Sequence, residues 1–278
     1  MLTLTEPAPL WAAVVASAFV AVAAWRLRGL TRSGAAAATL VGTCALAVSW
    51  GVGCFLIAWF VLATVVSRVG KQRKAGRVLG VVEKGGQRDA AQVFANGGVF
   101  CLLLLILLAG GTQCTPDTHC GYLVSVAAAG SLAAAGADTW ATEFGTLFGG
   151  TPFSTRTLSR VAVGTSGAVT LPGTMALLAG AVVLAFIAAQ LAVTPSDART
   201  MAAVVMGGTL GAVADTLIGA WMQERRRCPL CATLTEQRVH QCGTRTVHHA
   251  GISGLNNDVV NFLCASVGAA GAVVTVLL

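Results

Sequence analysis

Two Asp-Thr pairs, Asp138-Thr139 and Asp215-Thr216, each close a long apolar run. Residues 130–137 carry no charge, and a second carboxylate, Glu143, follows Asp138 by five positions. A carboxylate at the centre of a membrane helix costs about 2.5–3.5 kcal/mol on insertion scales, so a chain keeps one where it meets a polar cavity, a partner or a metal. Gly130 and Gly207 precede the two aspartates at the same offset. The pattern reads as a weak internal repeat that brings both Asp-Thr pairs to one polar site. A helix ending near Thr139 would let Glu143 join them. The competing reading is two helix ends marked by Asp-Thr turn chemistry.

Three further stretches share this polar vocabulary. In residues 83–98, Lys84, Gly85, Gly86 and Arg88 offer positive charge and free backbone N–H groups for phosphate oxygens. Asp89, Gln92 and Asn96 recur at i, i+3 and i+7, on one helix face. Between Val163 and Thr174, Thr165, Ser166, Gly167 and Thr170 form a cap and an anion site ahead of an apolar run, without the Gly-Lys-Ser/Thr of a Walker A loop. Asn257, Asp258 and Asn261 can hold a hard cation or a polar ligand. Taken singly, the first two stretches read as well as helix starts and capping turns. Together, Asp138, Glu143, Asp215 and Asp258 as metal ligands and Lys84, Arg88 and Arg156 as anion ligands match phosphoryl or nucleotidyl chemistry, in which Mg²⁺ lies between carboxylates and phosphates. No Gly-x-Ser-x-Gly motif and no Ser/His/Asp arrangement accompanies them.

The elements that must position these groups are membrane spans. The chain is 55% hydrophobic and 10% charged, with a mean hydropathy of +0.77, where soluble domains carry about 25% charged residues. The expected fold is all-α, a polytopic transmembrane helix bundle forming a single membrane domain over residues 1–278. Eight spans are predicted, at about 9–25, 35–50, 52–68, 93–110, 121–137, 171–193, 200–222 and 259–278. Spans two and three form one apolar run divided at Ser49-Trp50-Gly51. Glu6 before the first run and Arg26 and Arg28 after it are the wrong polarity for a cleavable signal. Every Lys and Arg except Arg199 falls in an odd-numbered loop. The positive-inside rule then makes the odd loops cytoplasmic and puts both termini outside. The net charge of +7 is a topology signal with room for anionic lipid contact, and no nucleic-acid module accompanies it.

The cysteines divide by side. Cys114 and Cys120 lie in an outer loop, where a disulfide can form if the compartment is oxidising. Cys228, Cys231, His240 and Cys242 lie in the cytoplasmic loop at about 223–258. They read equally as a tetrahedral Zn²⁺ ligand set and as reduced thiols in a loop. Cys44, Cys54, Cys101 and Cys264 are in spans and read as small packing residues.

The blocks Lys84-Gly85-Gly86-Gln87-Arg88-Asp89 with Gln92 and Asn96-Gly97-Gly98, Ala137 to Gly145, Gly164 to Thr170 and Asn256 to Asn261 resemble, in order, the signature blocks of one membrane family. That family was long catalogued as a domain of unknown function, and it includes the chloroplast phytyl-phosphate kinase of plants and the animal transmembrane protein nineteen group. The resemblance covers the chain from about residue 30 onward and includes the Cys-x-x-Cys loop. It implies kinase action on an isoprenyl monophosphate, giving the diphosphate, with a nucleoside triphosphate and Mg²⁺. Lys84, Arg88, Asp89, Asp138 and Glu143 would be the catalytic set. Gly85, Gly86, Gln92, Asn96, Arg156, Thr165, Ser166, Gly167, Thr170, Asn256, Asn257 and Asn261 would bind substrate and nucleotide. Two other readings stay open. A cytidylyltransferase-like enzyme would use the same groups but release pyrophosphate. A transporter would also carry intramembrane carboxylates and repeats, although its polar groups should continue across the membrane.

Overall fold

The computed structural model describes residues 3–78, 86–115 and 117–278. Eight apolar helices match the eight expected spans: α1 (Leu10–Arg26), α2 (Arg32–Val48), α3 (Trp50–Arg68), α5 (Ala90–Ala109), α6 (His119–Phe148), α7 (Leu171–Gln190), α8 (Ala198–Trp221) and α9 (Asn257–Leu277). A short basic helix, α4 (Lys71–Val78), follows α3 and was expected to be loop. Six of the eight are long and apolar enough to cross a membrane, and α1 and α2 are shorter at 17 residues each. Seventeen residues is the lower limit of length for a span.

The helix starts follow from the sequence. Thr31, Ser49, Asp89, Thr118, Thr170, Asp197 and Asn256 each cap the helix that follows, accepting a hydrogen bond from a backbone N–H of its first turn. Ser49 explains the break in the apolar run at 35–68. Its backbone is extended, its N–H closes α2 on Ala45 O, and its hydroxyl caps α3 through Val52 N. The close approach of Gly51 to the Leu191 and Leu4 carbonyls fixes the corner, since a Cβ there would stand 2.0 Å from Leu191 O.

Helix α6 is the centre of the bundle. Every residue from Val126 to Ala137 is buried, and α3, α5, α7, α8 and α9 all pack on it. Small residues make this possible in lipid, where close backbone approach replaces the hydrophobic drive between helices. A Cβ on Gly130 of α6 would stand 2.6 Å from Ala272 Cβ and 2.7 Å from Gly268 O, both on α9. A Cβ on Gly207 of α8 would meet the same two groups, at 2.7 and 2.5 Å. The two glycines of the repeat therefore seat on one spot of α9.

The odd loops meet at one end of the bundle. Arg88 N–H donates to Gly29 O and Thr31 N–H to Arg88 O, which joins loops one and three. Lys74 reaches Glu143, and Ser166 reaches Glu236. This basic end also carries the small sheets: β1 (Phe153–Ser154) with β2 (Ala168–Val169), and β4 (Leu234–Thr235), β3 (Arg225–Arg227) and β5 (Val247–Ala250) in that order, all antiparallel. The opposite end holds the Cys114–Cys120 disulfide and the Tyr122–Thr200 hydroxyl contact at 2.9 Å.

Candidate active site

The expected helix end near Thr139 is absent. Helix α6 runs on to Phe148, because Ala141, Thr142, Glu143 and Phe144 keep it helical and its C-cap comes only at Gly149. Asp138 and Glu143 are thus about 140° apart around one helix and cannot share a ligand. This corrects the expectation that Glu143 joins the aspartates.

Asp138 and Asp215 do come together. Asp138 lies nineteen residues past the start of α6 and Asp215 seventeen past the start of α8, both about 25–28 Å along their axes. With Gly130 and Gly207 sharing a seat on α9, the helices bring the two carboxyls within hydrogen-bonding reach of each other. Groups this close need a proton or a cation between them. Asp215 Oδ2 is buried, with no hydrogen-bond partner among the described residues. Glu236 and Cys264 act on Asp215 electrostatically. The threonines of the two pairs turn away: Thr139 Oγ1 donates to Ala135 O at 2.8 Å and Thr216 Oγ1 to Ala212 O at 3.2 Å, each within its own helix.

Glu143 faces the other side. Its Oε2 pairs with Lys74 Nζ at 2.5 Å, and the same ammonium donates to the Val66 and Ser67 carbonyls at the end of α3. Lys74 is buried, 6% exposed, although it comes from the most basic loop. The carboxylate of Glu143 also acts on Arg88. Burial lowers the Arg88 pKa from its ordinary value and Glu143 opposes that shift, so the guanidinium keeps its charge. Arg88 lies 5.7 Å over the Phe60 ring, and among the described residues its buried Nη1 has no partner. Asp89 and Gln92 form a reciprocal capping box at the start of α5, with Gln92 N–H to Asp89 Oδ1 at 2.9 Å and Asp89 N–H to Gln92 Oε1 at 3.1 Å. Asn96 Nδ2 donates to Gln92 O. Gly86 is exposed, and Lys84 and Gly85 lie outside the described residues.

Loops five and seven close over the end of α8. Ser166 Oγ donates to Glu236 Oε1. Gly167, at φ +72°, lies so near Ala220 that a Cβ would overlap its backbone. Thr165 Oγ1 bonds Ala162 O, Thr170 caps α7, and exposed Arg156 lies 6.0 Å over Trp221. Asn256 caps α9 and, with Asn257, lines a small polar recess with Gln223, Glu224, Arg226, Glu236 and Arg238. Asp258 and Asn261, in the first two turns of α9, are partly exposed. Gln223 Nε2 and the Arg225 Nε and Nη2 atoms are buried, with no partners among the described residues. Sequence reasoning missed Lys74 and Glu236. The available signal for Glu236 was its place inside the Cys/His loop, in which Glu224 and Asp258 lie only at the ends.

An apolar cavity of about 160 Å³ opens between α1, α2, α3 and α5. It runs beside α3 from Trp50 to Phe60, about 15 Å, and Arg88 and Gln92 line it at the basic end.

The four Cys/His ligand atoms of Cys228, Cys231, His240 and Cys242 lie within 4.8 Å of one another. Cys242 Sγ is 3.6 Å from Cys228 Sγ and 3.2 Å from His240 Nδ1. Hydrogen bonding with Thr244, then with His240, lowers the Cys242 thiol to about 5.

The chain is 29% identical over 265 residues to Protein PGR of Arabidopsis thaliana, covering 90% of each chain. It is 29% identical over 281 residues to Protein VTE6, chloroplastic, of the same plant, covering 98% of this chain and 74% of that one. It is 30% identical over 170 residues to an uncharacterized membrane protein of Methanocaldococcus jannaschii, covering 61% and 64%. No solved structure matches. The model of the family described as integral membrane protein DUF92 matches residues 15–269, nearly the whole bundle from α1 to α9, and the chain belongs to that family.

Proposed function

We propose that the chain is a membrane kinase that phosphorylates an isoprenyl monophosphate to the diphosphate, with a nucleoside triphosphate as donor and Mg²⁺ as cofactor. The observation that carries this reading is the apolar cavity lined at its basic end by Arg88, whose buried Nη1 has no partner among the described residues. An isoprenoid tail fits the walls, and a lipid phosphate supplies the acceptor that the guanidinium lacks. The resemblance to a family containing a phytyl-phosphate kinase supports the same substrate class.

The donor set suits a divalent cation. Asp138 and Asp215 would hold it, and the unpartnered Asp215 Oδ2 is the kind of hard oxygen such an ion takes. When bound, Mg²⁺ would supply positive charge to the nucleotide phosphates. Arg88 holds the lipid phosphate and screens its charge. Arg156, Ser166 and the backbone of Gly167 face the nucleotide, with Asn256 and Asn257 on the α9 side. An oxygen of the lipid phosphate attacks the γ-phosphorus, the bond to the β-phosphate oxygen breaks, and nucleoside diphosphate leaves. The nucleophile is already anionic, so positioning and charge neutralisation suffice and no histidine base is needed.

The test is direct. Purified protein in nanodiscs is incubated with γ-labelled nucleoside triphosphates and a panel of isoprenyl monophosphates. Label in a lipid diphosphate is the expected result. Release of pyrophosphate with nucleotide joined to lipid assigns a cytidylyltransferase-like activity instead, and no transfer to any lipid phosphate overturns the reading.

A further inference from the structure

The loop between α8 and α9 holds a three-stranded sheet whose strands are only two to four residues long. A sheet that small does not support itself. Two tight turns face each other at its edge. The first runs from Cys228 to Cys231, with Cys231 N–H donating to Cys228 Sγ at 3.4 Å and Cys228 N–H to Thr233 O. The second runs from His240 to Thr244 and is closed by His240 N–H to Thr244 O and Gly243 N–H to His240 O. Each turn brings two ligand atoms to the same point.

The spacing of those atoms is informative. A disulfide needs sulfurs about 2.05 Å apart. Thiolates at the corners of a zinc tetrahedron with 2.3 Å bonds stand about 3.7 Å apart. The Cys228 and Cys242 sulfurs are 3.6 Å apart. An amide donating to a ligand sulfur is the outer-shell contact that orients such a thiolate.

We infer that Cys228, Cys231, His240 and Cys242 bind one Zn²⁺ in a closed structural site, and that this clasp holds Glu236 against Ser166 and beside Asp215. Four protein ligands leave no open coordination position, so the metal is structural. The chain between the two turns contains β4 and Glu236, so closing the clasp fixes where that carboxylate lies. Glu236 is then a positioning residue at the mouth of the candidate site. That last step rests on the kinase reading, whereas the metal site does not.

The experiment uses the full chain in nanodiscs, purified without a histidine tag. Elemental analysis should give one zinc per chain, and Co²⁺ exchange should give the intense visible absorption of a tetrahedral thiolate site. Cys228→Ser and Cys242→Ser should each lose the metal, and Cys44→Ser should keep it. Trypsin should cut at exposed Arg238 and Arg245 about tenfold faster after chelation, since the clasp closes that segment. Absence of stoichiometric metal from the unmodified chain overturns the site. Equal cleavage with and without metal overturns the clasp. Zinc and protection retained in a chain that transfers no phosphate to any lipid would leave this inference standing and remove the kinase reading alone.

Discussion

At the scale of single residues, the two aspartates were legible because a charge in an apolar run demands an explanation. The hydropathy profile alone exposes Asp138 and Asp215, and their common offset from Gly130 and Gly207 told that they belong together. If Asp138 serves a cation, Asp138→Asn keeps size and hydrogen bonding but removes the charge. Turnover at limiting Mg²⁺ should fall about 100-fold or more, with thermal stability held. Near-normal turnover of that variant would return Asp138 to a packing role. Glu143 was misread because its partner lay in a segment that looked like loop. Its ion pair with Lys74 is largely buried, with side chains 23% and 8% exposed. Removing one partner of such a pair strands the other, at a cost of about 3 kcal/mol, whereas an apolar replacement of both is close to neutral. Glu143→Gln should therefore lower the melting temperature clearly, and Lys74→Met combined with Glu143→Leu should recover most of the loss. Additive losses in the double variant would show that the pair has no such coupling.

At the scale of elements, the eight helices could be read from apolar runs and capping residues, including the break at Ser49. Helix α4 and the last turns of α6 could not. Hydropathy marks where lipid ends, and a helix continues past that point when its residues allow it, as Ala141 to Phe144 do. The packing of α6, α8 and α9 depends on glycine contacts that no periodicity announces. Gly207→Ala would place a Cβ 2.5 Å from Gly268 O, so the helices must separate. The expected cost is about 1–3 kcal/mol, together with loss of turnover as Asp215 moves from Asp138. Gly97→Ala is the control. Its Cβ would meet only Val41 Cγ1 at 3.9 Å, and alanine is the better helix former by about 0.8–1 kcal/mol. Thermal unfolding of the two variants should shift in opposite directions. An unaffected Gly207→Ala protein would mean that α8 and α9 are free to slide.

At the scale of the whole molecule, the arrangement of charge and the arrangement of contacts agree. Every odd loop carries basic residues, and hydrogen bonds or ion pairs link loop one to three, loop three to the last turns of α6, and loop five to seven. The aspartate pair, the Arg88 end of the cavity and the Cys/His cluster therefore share one end of the bundle. The disulfide-bonded Cys114 and Cys120 lie at the other. We propose, from the positive-inside rule, that the basic end faces the cytoplasm. A disulfide at the far end and free thiols at the basic end are compatible with that orientation. That orientation would give the proposed site access to cytoplasmic nucleotide. Exposed positions at each end allow a direct measurement. With an impermeant thiol reagent on intact cells and site-by-site readout by mass spectrometry, Ser196→Cys in loop six should be labelled. Arg73→Cys and Ser159→Cys, in loops three and five, should react only after the cells are opened. Labelling of Arg73→Cys and Ser159→Cys in intact cells, with Ser196→Cys shielded, would reverse the bundle in the membrane. The nucleotide would then have to come from the outer side, and the kinase reading would fail with the topology. Labelling of Ser159→Cys alone would instead separate loops three and five, against the Lys74–Glu143 contact that joins α4 to α6.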